Sequence, residues 1–233
     1  MPPTVILVRH SQALHNSTKD YGLHDPLLTE EGLEQCQGLR ESLKRRLEGE
    51  TDIAIVVSPM RRTLQTALIS LDWLIERGAP IIADAGWQET SAKPCDTGSP
   101  ISEVAAEYPS VDFSGVDPVF PDKSTPAGSK YFPTRGAVLA RGQECLRRLY
   151  QRPEKWVIVV SHSGFLRMGV VGWWFFNGDY RIFDFQGNPE ADRSLKLVQW
   201  ESTVSGGLGL SWTEPVEIGA GLEEDENEPF RAP

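Results

Sequence analysis

The sequence predicts an α/β fold, a three-layer α/β/α sandwich whose mostly parallel central sheet carries helices on both faces. Three observations point to it. Val5 to Val8, Ile53 to Val57 and Val157 to Val160 are short, unbroken apolar runs rich in β-branched residues, as expected of strands buried on both faces. Segments of helical period alternate with these runs. Each run also ends abruptly in polar residues, at Arg9-His10, Ser58-Pro59-Met60-Arg61-Arg62 and Ser161-His162-Ser163-Gly164.

The elements follow in order. After the first strand, Thr29 is placed to cap a helix over about 30 to 48, with Glu30 and Glu31 in its first turn and Leu33, Cys36, Leu39, Leu43 and Leu47 recurring along it. After the second strand, Ser58 is the expected cap and Pro59 the first-turn proline of a helix running through Thr63, Ala67, Leu71 and Leu74. A third strand is expected near Pro80 to Ala83 and a short helix near Ile101 to Glu107. Further helices are read at Arg135 to Tyr150 and Gly164 to Phe176, and a late alternating strand at Ser194 to Trp200.

Residues 1–212 read as a single catalytic domain. Within it, Gly86 to Thr134 is rich in Pro, Gly and Ser and too long for an ordinary connection, so about 90–134 reads as a lid or substrate-binding insertion. Trp87, Tyr131 and Phe132 would there contact an apolar part of a ligand or form a mini-core of their own. Trp173, Trp174, Phe175 and Phe176 read as core or dimer surface. Residues 213–233 form an acidic tail that reads as disordered.

The 233 residues carry a formal charge of −10, of which Glu214 to Pro233 contributes seven acids against one base. This balance argues against nucleic acid as a partner, and an anionic ligand would have to be captured by locally clustered arginines. No apolar stretch reaches bilayer length, so no membrane partner is expected. Three spaced cysteines, Cys36, Cys95 and Cys145, and the lack of a leader pattern suggest reduced thiols in a cytoplasmic setting, without excluding a nuclear one. No ligand cluster suggests a metal, and no cofactor is expected.

In an open parallel sheet the carboxyl ends of the strands face one crevice, where ligands bind. His10, His162, Arg9 and Arg61 or Arg62 would meet there. Guanidinium groups neutralise and orient phosphate oxygens while an imidazole serves as nucleophile, so the set suits phosphoryl transfer.

The blocks Leu7-Val8-Arg9-His10-Ser11-Gln12-Ala13-Leu14-His15-Asn16, Asp25-Pro26-Leu27-Leu28-Thr29-Glu30-Glu31-Gly32, Ser58-Pro59-Met60-Arg61-Arg62-Thr63-Leu64-Gln65-Thr66-Ala67 and Ser161-His162-Ser163-Gly164-Phe165 resemble, in order, those of the histidine phosphatase superfamily, the phosphoglycerate-mutase-like proteins. The resemblance implies His10 as nucleophile, Arg9 and Arg62 as phosphate clamps, and His162 as a donor to the transferring oxygens. It further implies Asn16 and the backbone at Ser163 as phosphate contacts. Ser11 stands where the family usually has glycine, so it would either add a hydroxyl donor or crowd the pocket.

Cleavage of a phosphate monoester also needs a general acid. Glu89, in Trp87-Gln88-Glu89-Thr90-Ser91, matches the family's position for it, with Asp96 in reserve; His15 and His24 are not expected to be catalytic. The implied activity is metal-independent hydrolysis of a small-molecule phosphate monoester through phosphohistidine. The alternatives are a phosphoglycerate-type mutase and a binding protein, or an enzyme of altered chemistry, that kept the pocket. A homodimer is a candidate assembly.

Overall fold

The structure, a computed structural model, describes residues 1–187 and 194–225. Its elements are β1 (Thr4–Arg9), α1 (Leu14–Thr18), α2 (Glu30–Arg46), β2 (Ile53–Val57), α3 (Arg61–Ser70), α4 (Asp72–Ile75), β3 (Ile81–Ala83), α5 (Ile101–Glu107), α6 (Arg135–Tyr150), β4 (Trp156–Ser161), α7 (Ser163–Phe165), β5 (Tyr180–Gln186) and β6 (Lys196–Gln199). The sheet order is β3-β2-β4-β1-β5-β6. Strands β1 to β4 run parallel, while β5 pairs antiparallel with both β1 and β6. The sheet is therefore mixed, with the parallel part that the sequence predicts at its centre.

Side-chain alternation divides the interior into two layers. Ile6 and Val8 of β1 and Ile158 and Val160 of β4 join Leu39, Leu43 and Leu47 from the α2 side and Leu64 and Ala67 of α3 on one face. Val5, Leu7, Val157 and Val159 meet Val138 and Leu146 of α6 and Phe165 and Leu166 on the other. That double burial is why the strands read as continuous apolar runs.

Thr29 caps α2 as expected, its hydroxyl accepting from Gly32 N at 3.0 Å. Leu33, expected on the apolar stripe, is 43% exposed. Ser58 is not the cap of the next helix. Helix α3 starts at Arg61 behind Met60, two residues beyond the proline, because the Ser58 hydroxyl is engaged by His162. The capping oxygen comes instead from Asp25, whose Oδ1 accepts from Arg61 N at 3.1 Å while Oδ2 accepts from Ser99 N at 3.1 Å.

The helix expected over Gly164 to Phe176 is shorter. Helix α7 widens into a π turn over Leu166–Val171 and stops at Gly172, whose φ of 73° is left-handed. Trp173 to Phe176 then run outside any helix, and two of their carbonyls serve arginines: Phe175 O accepts from half-buried Arg9 and Trp174 O from buried Arg181. Strand β5 is an element that the sequence reading does not contain. Its fully buried Arg181 breaks the apolar pattern, yet Nη1 and Nη2 donate to the Val204, Trp174 and Trp212 carbonyls.

Trp87 is a core residue, edge-on to Phe165 at 5.8 Å. Tyr131 joins Met60, Ala85 and Phe120 in a separate small core under the insertion. Phe175 is buried in the core. The expected boundary at 212 is not where packing ends: Gly219 N donates to Met168 O and Arg135 N to Glu223 O, at 2.7 Å each. The remainder of the acidic tail, 226–233, lies outside the described residues. Among those described, no helix is long and apolar enough to cross a membrane.

The Asp25 carboxylate, wholly buried and paired with Arg61 as well, is a strong test of these contacts. Asp25→Ala is expected to cost about 3 kcal/mol in urea unfolding. A loss below about 1 kcal/mol would contradict the capping role.

Candidate active site

Strands β1 and β4 are adjacent and parallel, with Arg9 opposite Ser161, so both histidine-bearing ends open at one edge. His10 N continues the ladder to Ser161 O at 3.0 Å. The ring of His10 is 2% exposed. Its Nδ1 lies 2.7 Å from Ser11 O, and a carbonyl can only accept, so Nδ1 carries the proton. Arg62 Nε, which can only donate, lies 3.1 Å from His10 Nε2. The lone pair is thereby left on Nε2. Burial, then the charges of Arg62 and Arg9, hold the imidazole well below its ordinary pKa.

Arg62 is fully buried and projects from the first turn of α3. Besides His10 it donates to Cys95 O at 2.6 Å, Asp96 Oδ1 at 3.1 Å and His162 Nδ1 at 3.0 Å. By the same donor logic His162 Nδ1 is unprotonated, and Nε2–H donates to Ser58 Oγ at 2.9 Å. The ring of His162 is fully buried, its centroid 5.2 Å from that of His10. Arg61 points the other way, to Asp25 and Glu107.

The cleft over these groups holds about 230 Å³ and is lined by Arg9, His10, Asn16, Arg62, Glu89, Asp96 and Ser163, with His15, Tyr21 and Lys93 towards its walls. Arg9 donates to Phe175 O at 2.7 Å, and its buried Nε has no partner among the described residues. Burial lowers its pKa to about 10. Asn16 Oδ1 accepts from Ala13 N at 3.0 Å and from Asn177 Nδ2 at 3.3 Å, while Asn177 Nδ2 also reaches His10 O at 3.2 Å.

Two expected contacts stand elsewhere. Ser11 does not line the cleft: its hydroxyl accepts from Cys36 Sγ at 3.2 Å, and its backbone N–H is held by Thr66 Oγ1 at 3.0 Å. The hydroxyl therefore neither crowds the pocket nor serves it. His162 also stands behind Arg62 and not in the lining.

Glu89 reaches the cleft from the loop after β3. Oε2 accepts from Gly164 N at 2.9 Å, and Oε1 from Phe165 N and Thr90 N at 2.8 Å each. The carboxylate thus occupies the start of α7, where the sequence reading expected a ligand anion beside Ser163. Only glycine permits it, since a Cβ on residue 164 would lie 2.5 Å from Oε1. Asp96 spans Arg62 and the Ser91 hydroxyl, at 3.1 and 2.6 Å.

The histidine phosphatase superfamily (branch 1) model matches residues 5–186. The chain belongs to this superfamily. A phosphoglycerate mutase-like protein of Arabidopsis thaliana is 30% identical over 200 residues, covering 70% of this chain and 72% of the relative. A Schizosaccharomyces pombe protein named "Probable phosphatase" is 30% identical over 177 residues, covering 71% and 76%. Among solved structures, YhfR of Bacillus stearothermophilus superposes with a TM-score of 0.51 at 18% identity, over 84% of this chain and 96% of its own. A mycobacterial glucosyl-3-phosphoglycerate phosphatase in complex with VO3 gives 0.50 at 19%, over 84% and 97%. These structures share the fold of this chain.

Sequence reasoning missed Asp25, Asn177 and Lys123 as contributors to the site. Asp25 stands in a family-like block but has no role implied by it; Asn177 and Lys123 offer no local signal, because the oxygens they donate to are distant in sequence.

The buried imidazoles also govern acid stability. Burial and the adjacent Arg62 hold His162 well below 6.5 when folded, whereas the unfolded chain takes up the proton near 6.5. Its neutral form therefore supports folding fully above pH 7, and that support is lost as pH falls below 6.5. Between pH 7.5 and 5.5 the wild type should lose about 1 kcal/mol more stability than His162→Gln in urea unfolding. Equal losses would contradict the neutral, buried ring.

Proposed function

We propose that the protein is a phosphatase that hydrolyses small-molecule phosphate monoesters through a phosphohistidine on His10. The observation that carries this reading is the Arg62 Nε to His10 Nε2 contact of 3.1 Å. It leaves a nucleophilic lone pair beside a guanidinium at the floor of a cleft that also offers Arg9 and a carboxylate.

In the proposed reaction Arg62 Nε moves its hydrogen bond from His10 Nε2 to a phosphoryl oxygen, the freed lone pair attacks phosphorus and the ester P–O bond breaks. The departing oxygen takes a proton from the carboxylic acid form of Glu89, which this step requires. The resulting carboxylate then removes a proton from water, whose oxygen attacks phosphorus; the P–N bond breaks, returning the lone pair to His10 and releasing inorganic phosphate. Arg9 and Arg62 offset the charge on the transferring group. To donate to that group directly, His162 would have to exchange Arg62 for a phosphoryl oxygen and gain a proton on Nδ1; as it stands it orients Arg62. A cleft of about 230 Å³ favours a compact ester over a large one.

The test is turnover of p-nitrophenyl phosphate without added metal. His10→Ala is expected to abolish it, and Glu89→Gln to lower kcat by roughly 10²-fold or more. No turnover by the folded wild type on this compound and on a broad panel of phosphate esters would overturn the reading. Primer-dependent isomerisation of phosphoglycerates would support the mutase instead.

A further inference from the structure

Lys123 lies in the insertion, yet it is only 3% exposed. Its Nζ donates to Glu89 O at 2.7 Å, Ser91 O at 3.0 Å and Asp96 O at 2.5 Å. Three carbonyls use all three donors of one ammonium. They belong to the loop that presents Glu89 and Asp96 to the cleft. The preceding carbonyl, Gln88 O, is held by Arg141 Nη1 at 2.8 Å, whose guanidinium lies 4.0 Å from the Phe165 ring centroid. Two buried cations from different parts of the chain thus fix consecutive peptide units beside Glu89.

The segment carrying Lys123 is itself anchored. Phe120 and Tyr131 pack with Met60 and Ala85, and the Tyr131 hydroxyl donates to Asp117 at 2.9 Å. The ammonium occupies this place at a cost. Burial, with the charges of Arg141 and Arg62 nearby, lowers it to about 7 against the opposing pull of Asp96 and Glu89. An apolar residue would avoid that cost but would leave three carbonyls without their donor.

We infer that Lys123 is a positioning residue for proton transfer: by drawing the carbonyls of residues 89, 91 and 96 around one ammonium, it holds the Glu89 carboxylate at the cleft and ties its action to the seating of the 117–131 segment. The inference rests on the phosphatase reading and on Glu89 as proton donor. It assigns the insertion a task in the chemical step itself.

The leaving group tests it. Phenyl phosphate needs a proton on its departing oxygen, whereas 2,4-dinitrophenyl phosphate departs almost unaided, and kcat/KM reports the first transfer alone. Lys123→Met should lower kcat/KM for phenyl phosphate by about tenfold or more and for the dinitrophenyl ester by less than about threefold, in the same sense as Glu89→Gln. Lys123→Gln, which keeps two donors, should fall between Lys123→Met and wild type, and it decides the matter if the methionine variant does not fold. Equal losses on the two esters in the Lys123 variants, with the differential present in Glu89→Gln, would overturn this inference alone. A wild type that turns over neither ester would remove the phosphatase reading and this inference with it.

Discussion

The site depends on one buried guanidinium. Arg62 contacts the nucleophile candidate just beyond β1, the histidine that follows β4, and the Cys95–Asp96 turn of the insertion. A charge withdrawn from water is tolerable only when its donors are met, and Arg62 meets four acceptors from three separate stretches of chain. Because a guanidinium never accepts, it also dictates where the protons sit on both imidazoles. With the Ser11 carbonyl on Nδ1 and the burial of the ring, this neighbour sets the tautomer and the low pKa of His10.

The parallel core makes that neighbour available. Adjacent parallel strands end at the same edge, so β1 and β4 deliver His10 and His162 side by side, and the helix after β2 starts within reach of both. Antiparallel β5 seals the far side of β1, and the extended Trp173 to Phe176 stretch before it provides the carbonyl that orients Arg9. The insertion contributes from above: its turns bring Asp96 to Arg62, and its buried Lys123 gathers the loop that bears Glu89.

The legible part of this arrangement was local. Buried strands are apolar runs whatever surrounds them, Thr29 announces α2 through its own hydroxyl, and the polar ends of β1, β2 and β4 mark a crevice because parallel topology forces them together. What escaped was set by distant partners. Ser58 looks like a cap until His162 claims its hydroxyl, and α3 is capped by Asp25 from 36 residues away. Arg181 disguises β5 because the carbonyls that accept from its Nη1 and Nη2 lie outside the strand. Ser11 looked like a pocket residue from its place beside His10, but its side chain turns towards Cys36. Lys123, in a segment rich in prolines and aspartates, gave no hint that it would be buried.

The central claim is that His10 Nε2 takes the phosphoryl group. Rapid acid-free quenching during turnover of p-nitrophenyl phosphate, followed by tandem mass spectrometry, reads it directly. The expected result is a phosphoryl group on His10, absent in His10→Ala and lost on brief acid treatment. Steady turnover with the label on another residue would contradict the account.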